Sequence, residues 1–364
     1  MSTSGSVFFS FDPRFPFKDV AALGRTLQTS GHLVPGFIPP SVGYLDIAAL
    51  RYGQDLENWN FVVMADRNFI SRMAQACRLD ADTPPDEAQI WAVRLMAFCK
   101  AMDLDIDPSV SFHELAHKQG EAAALDELAW FRAADRGGNT QAWIDFSFGR
   151  TSSLTVAGPA PRETADLAKP LRRWRRNYVA ALRIATLELE PLKPEARFER
   201  LIDWMYDDFQ LCGPAAVFAA VYFSGRRPPK MMKGLRGADR AKAVAGVRNA
   251  AWDITYLSYF TDAVQDSETR QTRTILATRD DALAAIAPLV LLGPEPDEDW
   301  PSLNQALEQW WPAADARRNA DRLMACAQKV QAEGPRALPR GAASIETRTT
   351  ELEARILAWP PPKG

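Results

Sequence analysis

The residues of this chain whose types and spacing could do chemistry are four carboxylates and a pair of histidines. Asp66 closes a short, β-branched apolar run, Asn60–Ala65; Glu114 follows the run 109–112; Asp280 follows the run 273–278; Asp253 lies early in a helical pattern. Near-continuous apolar runs of this kind read as buried strands of a parallel sheet. In open α/β sheets, functional groups sit just past the carboxyl ends of such strands. Carboxylates converging there bind one or two hard divalent cations, Mg²⁺ or Mn²⁺, which prefer oxygen ligands. Such ions activate water and neutralise charge on a phosphodiester under in-line attack. Each acid taken alone has an ordinary use as a helix cap; the set is what points to a metal. Asp281, beside Asp280, leaves the fourth position open, and Glu121 and Glu127 are alternatives for the second.

A rival chemistry shares Glu114. His113-Glu114-Leu115-Ala116-His117 is H-E-x-x-H, and the chain has only three histidines. On a helix the two imidazoles share a face and can hold Zn²⁺, with the Glu as general base of a peptidase. Ala123 occupies the place six residues on where a third histidine would stand, so a third ligand would be Glu127, Asp135 or Glu163.

The elements that must position these groups follow from pattern and punctuation. The candidate strands are 60–65, 109–112, 273–278 and 288–292, with two further short ones at about 143–148 and 153–156. Pro84-Pro85-Asp86 opens a helix to about Met102, and a long helix is expected from about His113 to Asp135. Residues 172–266 are helical in pattern, broken at Pro191/Pro194, Gly213-Pro214 and 226–233. Pro294 to Trp300 reads as an acidic loop, and the Pro-rich end from Ala358 as frayed. A strand–helix alternation of this kind predicts an α/β chain.

Four segments resemble, in order, the acidic motifs of the PIN-domain nucleases. Asp66-Arg67-Asn68-Phe69-Ile70-Ser71-Arg72 after an apolar strand is similar to the first, and Ser109-Val110-Ser111-Phe112-His113-Glu114-Leu115 to the second. Trp252-Asp253-Ile254-Thr255-Tyr256-Leu257 resembles the third, and Thr274-Ile275-Leu276-Ala277-Thr278-Arg279-Asp280 the fourth. The resemblance covers about 61–135 and 245–293, less than half the chain. It implies a PIN-like parallel sheet flanked by helices, interrupted by a large, mainly helical insertion and followed by a helical extension. The implied organisation is an N-terminal wrapping segment 1–58, a first core half 59–135, the insertion 136–245, a second core half 246–293 and a C-terminal extension 294–364. Carried over, Asp66, Glu114, Asp253 and Asp280 hold Mg or Mn, with Asn68 and Thr278 supporting them. The activity implied is endonucleolytic hydrolysis, RNA being the expected polymer, in a toxin, RNA-processing or defence setting. A silent scaffold that binds nucleic acid or a protein partner is the other use of such a fold.

Charge and composition narrow the classes. With 47% hydrophobic residues and a net charge of −3, the chain is no disordered polyelectrolyte, and four scattered cysteines exclude a disulfide-stapled domain. Nothing near Val7–Phe11 reads as a signal-peptide core, so a soluble, cytoplasmic protein is expected, free or as a homo-oligomer. Two basic runs lie in the expected insertion. The first, Lys169 to Arg183, holds Lys169, Arg172, Arg173, Arg175, Arg176 and Arg183, interleaved with Trp174 and Tyr178; the second, Arg226 to Lys242, holds Arg226, Arg227, Lys230, Lys233, Arg236, Arg240 and Lys242 against one acid, Asp239. Cations with interleaved aromatics suit a phosphate backbone and stacked bases. Gly234 to Gly237 lacks the strand-to-helix context and the Lys-Ser/Thr of a phosphate loop. The segment from Leu352 to Trp359 reads as a docking helix for this chain or a partner.

Overall fold

The computed structural model describes residues 9–79, 84–156, 158–293, 295, 301–333 and 341–360. In chain order the first elements are α1 (Phe17–Gln28), β1 (Leu33–Pro35), α2 (Ile47–Asp55), β2 (Asn60–Ala65), α3 (Arg67–Ala76), α4 (Glu87–Met102), β3 (Asp105–Asp107), α5 (Ser109–Gln119), α6 (Glu121–Arg136) and α7 (Thr140–Ser147). There follow α8 (Arg172–Leu189), α9 (Pro194–Asp207), α10 (Gly213–Phe223), α11 (Arg240–Gln265), α12 (Ser267–Arg270) and β4 (Thr272–Ala277). The chain closes with α13 (Asp281–Ile286), α14 (Leu303–Leu307), α15 (Ala313–Glu333) and α16 (Ala342–Ala358). The class is α/β, with helix predominating. Two units result, each built from two stretches of chain: Met1–Ala168 with Ala263–Arg279, and Lys169–Asp262 with Asp280–Gly364.

The first unit is built on a four-stranded sheet of order β1-β4-β2-β3. β4, β2 and β3 run parallel, and β1 is antiparallel to β4. The sheet is therefore mixed, where an all-parallel one was expected. The added edge strand contains Pro35, and a residue without an N–H is tolerated at an edge. β2 and β4 are in register from Asn60↔Thr272 to Ala65↔Ala277, so their carboxyl ends are level. Phe61, Val63 and Ala65 of β2 and Ile275 and Ala277 of β4 are buried in one core with Phe69, Ile70 and Met73 of α3 and Ala92, Val93 and Met96 of α4.

Several local expectations give way to helix. Residues 109–112 open α5; the strand is the shorter Asp105–Asp107 just before, after which Asp107 Oδ1 accepts the Ser109 N–H and turns the chain. The single long helix breaks at Gly120, whose φ of +91° ends α5 and starts α6. Residues 143–148 fall in and just after α7, started by the Asn139 side chain, and 153–156 carry no strand. At 288–292 helical dihedrals at Pro288 lead into a 3-10 turn, Leu289–Leu291. The N-terminal segment wraps the core as α1, β1 and α2 rather than as extended chain; Asp46 caps α2 by accepting the Ala48 and Ala49 N–H groups. The acidic stretch 294–300, apart from Glu295, lies outside the described residues, as do 1–8 and 361–364.

The second unit is helical. α10 is apolar all round and buried from Ala215 to Phe223, and α8 buries Trp174, Tyr178, Leu182 and Ile184. Asn177 of α8 donates to Thr255 and Ser258 of α11, both at 3.1 Å. The C-terminal α16 docks on α8: the Tyr178 hydroxyl and Arg248 both donate to Glu353, and Arg240 donates to the Ile356 carbonyl. Among the described residues no helix is long and apolar enough to cross a membrane.

Candidate active site

Because β2 and β4 end in register, the residues that follow them, Asp66 and Thr278, emerge side by side. Asp66 is the N-cap of α3: its Oδ1 accepts the Phe69 N–H at 3.1 Å. Its Oδ2 accepts the Thr278 hydroxyl at 2.6 Å and the Asn68 amide at 3.3 Å. Thr278 is itself fixed, its N–H donating to the His32 carbonyl at 2.8 Å. The Asp66 carboxyl is 3% exposed. Burial pushes its pKa up to about 6; the Thr278, Phe69 and Asn68 donors pull it down, and the nearby Glu114 charge adds a further upward push. No cation among the described residues pairs with Asp66.

Glu114 reaches this neighbourhood because α5 is tied to the end of β2. The Ser111 hydroxyl donates to the Ala65 carbonyl at 2.8 Å, one turn before Glu114. Glu114 is buried and pairs with Lys118 Nζ at 2.7 Å across one helical turn. The first unit thus brings together Asp66, Asn68, Thr278 and Glu114. Ser111 and Lys118 complete the cluster. Neither was singled out from sequence, although Lys118 stands at the i+4 spacing from Glu114 that favours a pair.

The other predicted acids lie in the second unit. Asp253 is half-buried on α11, and Asp280 is the exposed N-cap of α13, its Oδ1 accepting the Ala282 and Leu283 N–H groups at 2.9 and 3.1 Å. Asp281 is exposed in the first turn of the same helix. The alternatives for Glu114 are engaged elsewhere: Glu127 pairs with Arg67 at 3.0 Å, and Glu121 accepts the Ala168 N–H at 3.3 Å.

The two histidines stand one turn apart on α5, as their spacing requires. His113 Nδ1 is 3.2 Å from the Leu167 carbonyl, and His117 is exposed. Asp135 and Glu163 both pair with Arg132. Among the described residues no group of three or more His, Cys, Asp or Glu side chains is placed to hold a metal ion. The fit for a divalent ion in the first unit is therefore the Asp66–Glu114 pair. That donor number suits Mg²⁺, which keeps waters and binds through one or two carboxylates and substrate phosphates.

The basic runs divide into exposed and engaged residues. Arg172, Arg175, Arg176 and Arg226 are exposed, without an ion-pair partner among the described residues. Arg173 pairs with Asp262 and lies over the Tyr259 ring, and Arg227 pairs with Glu188 at 3.1 Å and lies over Tyr222. Trp174 and Tyr178, expected to stack on bases, are buried; they stack on each other at 5.0 Å because the apolar stripe of α8 faces the unit's core. Along α8, Arg175 and Glu188 are about 20 Å apart at 1.5 Å per residue, so the two runs are separate surfaces. Compared with protein-family models, curated proteins and solved structures, the chain matches none.

Proposed function

We propose that the chain is a Mg²⁺- or Mn²⁺-dependent nuclease, with RNA as the expected substrate and Asp66 at its centre. The observation that carries this is a buried carboxylate at the level ends of two parallel strands, held by three neutral donors, with a second carboxylate close enough to raise its proton affinity. Among the described residues such a group has no counter-cation, and a divalent ion is the counter-cation that suits oxygen donors. The four-motif resemblance to PIN nucleases supports the same reading.

Asp66 and Glu114 would hold the ion, which when bound supplies Lewis acidity toward a phosphoryl oxygen and a more acidic water. Thr278 and Asn68 orient the Asp66 carboxylate, and Lys118 holds Glu114 while balancing part of its charge. Asp253 and Asp280 are the further acids that the resemblance names. The exposed Arg172, Arg175, Arg176 and Arg226 are the cations offered to the RNA backbone.

The test is Mn²⁺-dependent cleavage of a fluorescent single-stranded RNA by the full chain. Asp66→Asn/Asp253→Asn should lose at least about a hundredfold in rate, the usual scale for removing a group that stabilises developing charge; an unchanged rate rejects the nuclease. A dialysed protein that keeps one zinc per chain, and loses it on His113→Ala, assigns the site to a zinc peptidase instead.

A further inference from the structure

We propose that the loop joining α10 to α11 is a preformed binding site for a phosphate group, built from the backbone amides of 230–234 and the side chains of Lys230 and Lys233. This does not rest on the nuclease reading; it concerns the second unit alone.

The charge comes first. From Ser224 to Gly237 there are five cations, Arg226, Arg227, Lys230, Lys233 and Arg236, and no acid. Two of the five are roots. Arg227 and Arg236 both reach Glu188 Oε1, at 3.1 and 3.0 Å, and Arg236 also donates to the Glu188 carbonyl at 3.0 Å. Glu188 already pairs with Arg197 at 2.7 Å, so one carboxylate meets three guanidiniums and the surroundings keep a positive surplus. Arg226, Lys230 and Lys233 are exposed, and no acid among the described residues pairs with them.

The backbone supplies the second, independent feature. Lys230, Met232 and Gly234 have φ of +74°, +44° and +76°, while Met231 and Lys233 between them do not enter the left-handed region. Non-glycine residues avoid this region, and two of them within three positions mark a conformation that the surroundings enforce. Alternation of the two hands turns successive N–H groups into one concavity, a backbone nest that binds anions. None of the amides from Lys230 to Gly234 makes a well-formed hydrogen bond to backbone or side chain among the described residues. Residues 229–236 close as turns, but the bonds at 229–232 fall short of good geometry, so these donors are only weakly engaged, beside two lysines.

The third feature is rigidity. Met232 and Leu235 are buried and plug the loop into the unit. Arg240 holds its exit by donating to the Leu235 and Gly237 carbonyls at 2.7 and 2.9 Å. The Lys233 carbonyl lies so close to α11 that a Cβ on Gly246 would stand 2.0 Å from it. An alanine there cannot be accommodated without moving the loop. Preorganisation of this kind lowers the entropy cost of binding. A phosphoryl oxyanion fits such donors; its source is either the backbone of a single-stranded nucleic acid or a free phosphate or nucleotide.

Inorganic phosphate is titrated into the full chain, with the midpoint of thermal unfolding read against chloride at equal ionic strength. The wild type should be stabilised by phosphate, and Lys230→Ser/Lys233→Ser should lose at least about tenfold in phosphate affinity, as expected for charge-assisted hydrogen bonds. Gly246→Ala should lose phosphate binding with both lysines retained, and Arg172→Ser/Arg175→Ser/Arg176→Ser should not. A fluorescent single-stranded RNA, in EDTA, separates the sources. If the nucleic-acid backbone is the ligand, phosphate competes with RNA and the lysine variant lowers the log–log salt slope by about 1.4, two contacts at ~0.7 each. If a free phosphate or nucleotide is the ligand, RNA affinity and slope stay unchanged while phosphate still binds. A phosphate response equal to that of chloride, or equal in wild type and lysine variant, overturns the site.

Discussion

Asp66 and Glu188 are both 3% exposed, yet their two units surround them differently. Asp66 meets a hydroxyl, an amide and a backbone N–H, and a neighbouring carboxylate that repels its charge. Glu188 meets three guanidiniums. A carboxylate held by dipoles has a fixed direction and an unsettled charge. One that meets three arginines is outnumbered, and the surplus positive charge falls on the loop that it anchors. Equal burial thus has two outcomes: in the first unit a carboxylate that no cation among the described residues offsets, and in the second a carboxylate outnumbered by guanidiniums.

If that contrast holds, removing the two carboxylates should move stability in opposite directions. The largest effect is expected for Glu188→Ala, which leaves the well-buried Arg197 without its partner. Urea denaturation should show a loss of about 3–5 kcal/mol; a loss under about 1 kcal/mol, the scale of an exposed pair, would break the comparison. Asp66→Asn should instead stabilise. The Asp66 pKa is about 6 folded against 3.8 in the unfolded chain. Its contribution to the folded state is complete below pH 3.8 and is lost as pH rises through 6. At pH 8 the variant should gain about 2 kcal/mol, somewhat under the ~3 kcal/mol that the shift represents, since the Thr278 and Asn68 donors are mismatched. Below pH 4 the two proteins should converge, and saturating Mn²⁺ should reverse the order at pH 8.

Smaller effects sharpen the first half of the contrast. Thr278→Val deletes the 2.6 Å hydroxyl donor to Asp66 and should cost about 1–2 kcal/mol at pH 8. It should also raise the Asp66 pKa further, visible as a stability decline that starts at the same pH but continues to higher pH. Lys118→Ala removes a half-exposed partner from Glu114 and should cost under ~1 kcal/mol. Its use is as a control: a large effect would mean that Glu114, not Asp66, dominates the electrostatics of the cluster.

The pairing of Asp66 with Thr278 was legible because both terminate apolar runs long enough to be strands, and level strand ends bring such residues together. The placement of Glu114 was legible only in part. The expected strand at 109–112 is helix, and the real strand, Asp105–Asp107, is three residues with a single buried side chain. A run that short, with acids at both ends, carries no period. Strand β1 escaped notice for a related reason: Pro35 argues against a strand except at an edge, and edges are set by tertiary pairing. The aromatics of the first basic run were misplaced because cation spacing and core-facing stripe occupy the same helix. Lys230 and Lys233 were legible only as members of a basic run, and Gly234 to Gly237 lacks a phosphate-loop motif; the alternating backbone hands of 230–234 are a property of φ that no residue type announces at Lys230 or Met232.

The sheet of the first unit also sets an order of events at synthesis. β4 sits between β1 and β2, and Thr278, just past its end, bonds to a residue 212 positions earlier. At roughly 5–20 residues per second, β1 and β2 wait some 10–40 s on the ribosome before the strand that joins them is made. During that interval two apolar edges stand unpaired, and the chain must be shielded from its neighbours or fold its second unit's helices first. A nascent chain stalled before residue 272 should therefore bind holdase chaperones strongly, and one stalled well beyond 279, with that stretch clear of the exit tunnel, should release them.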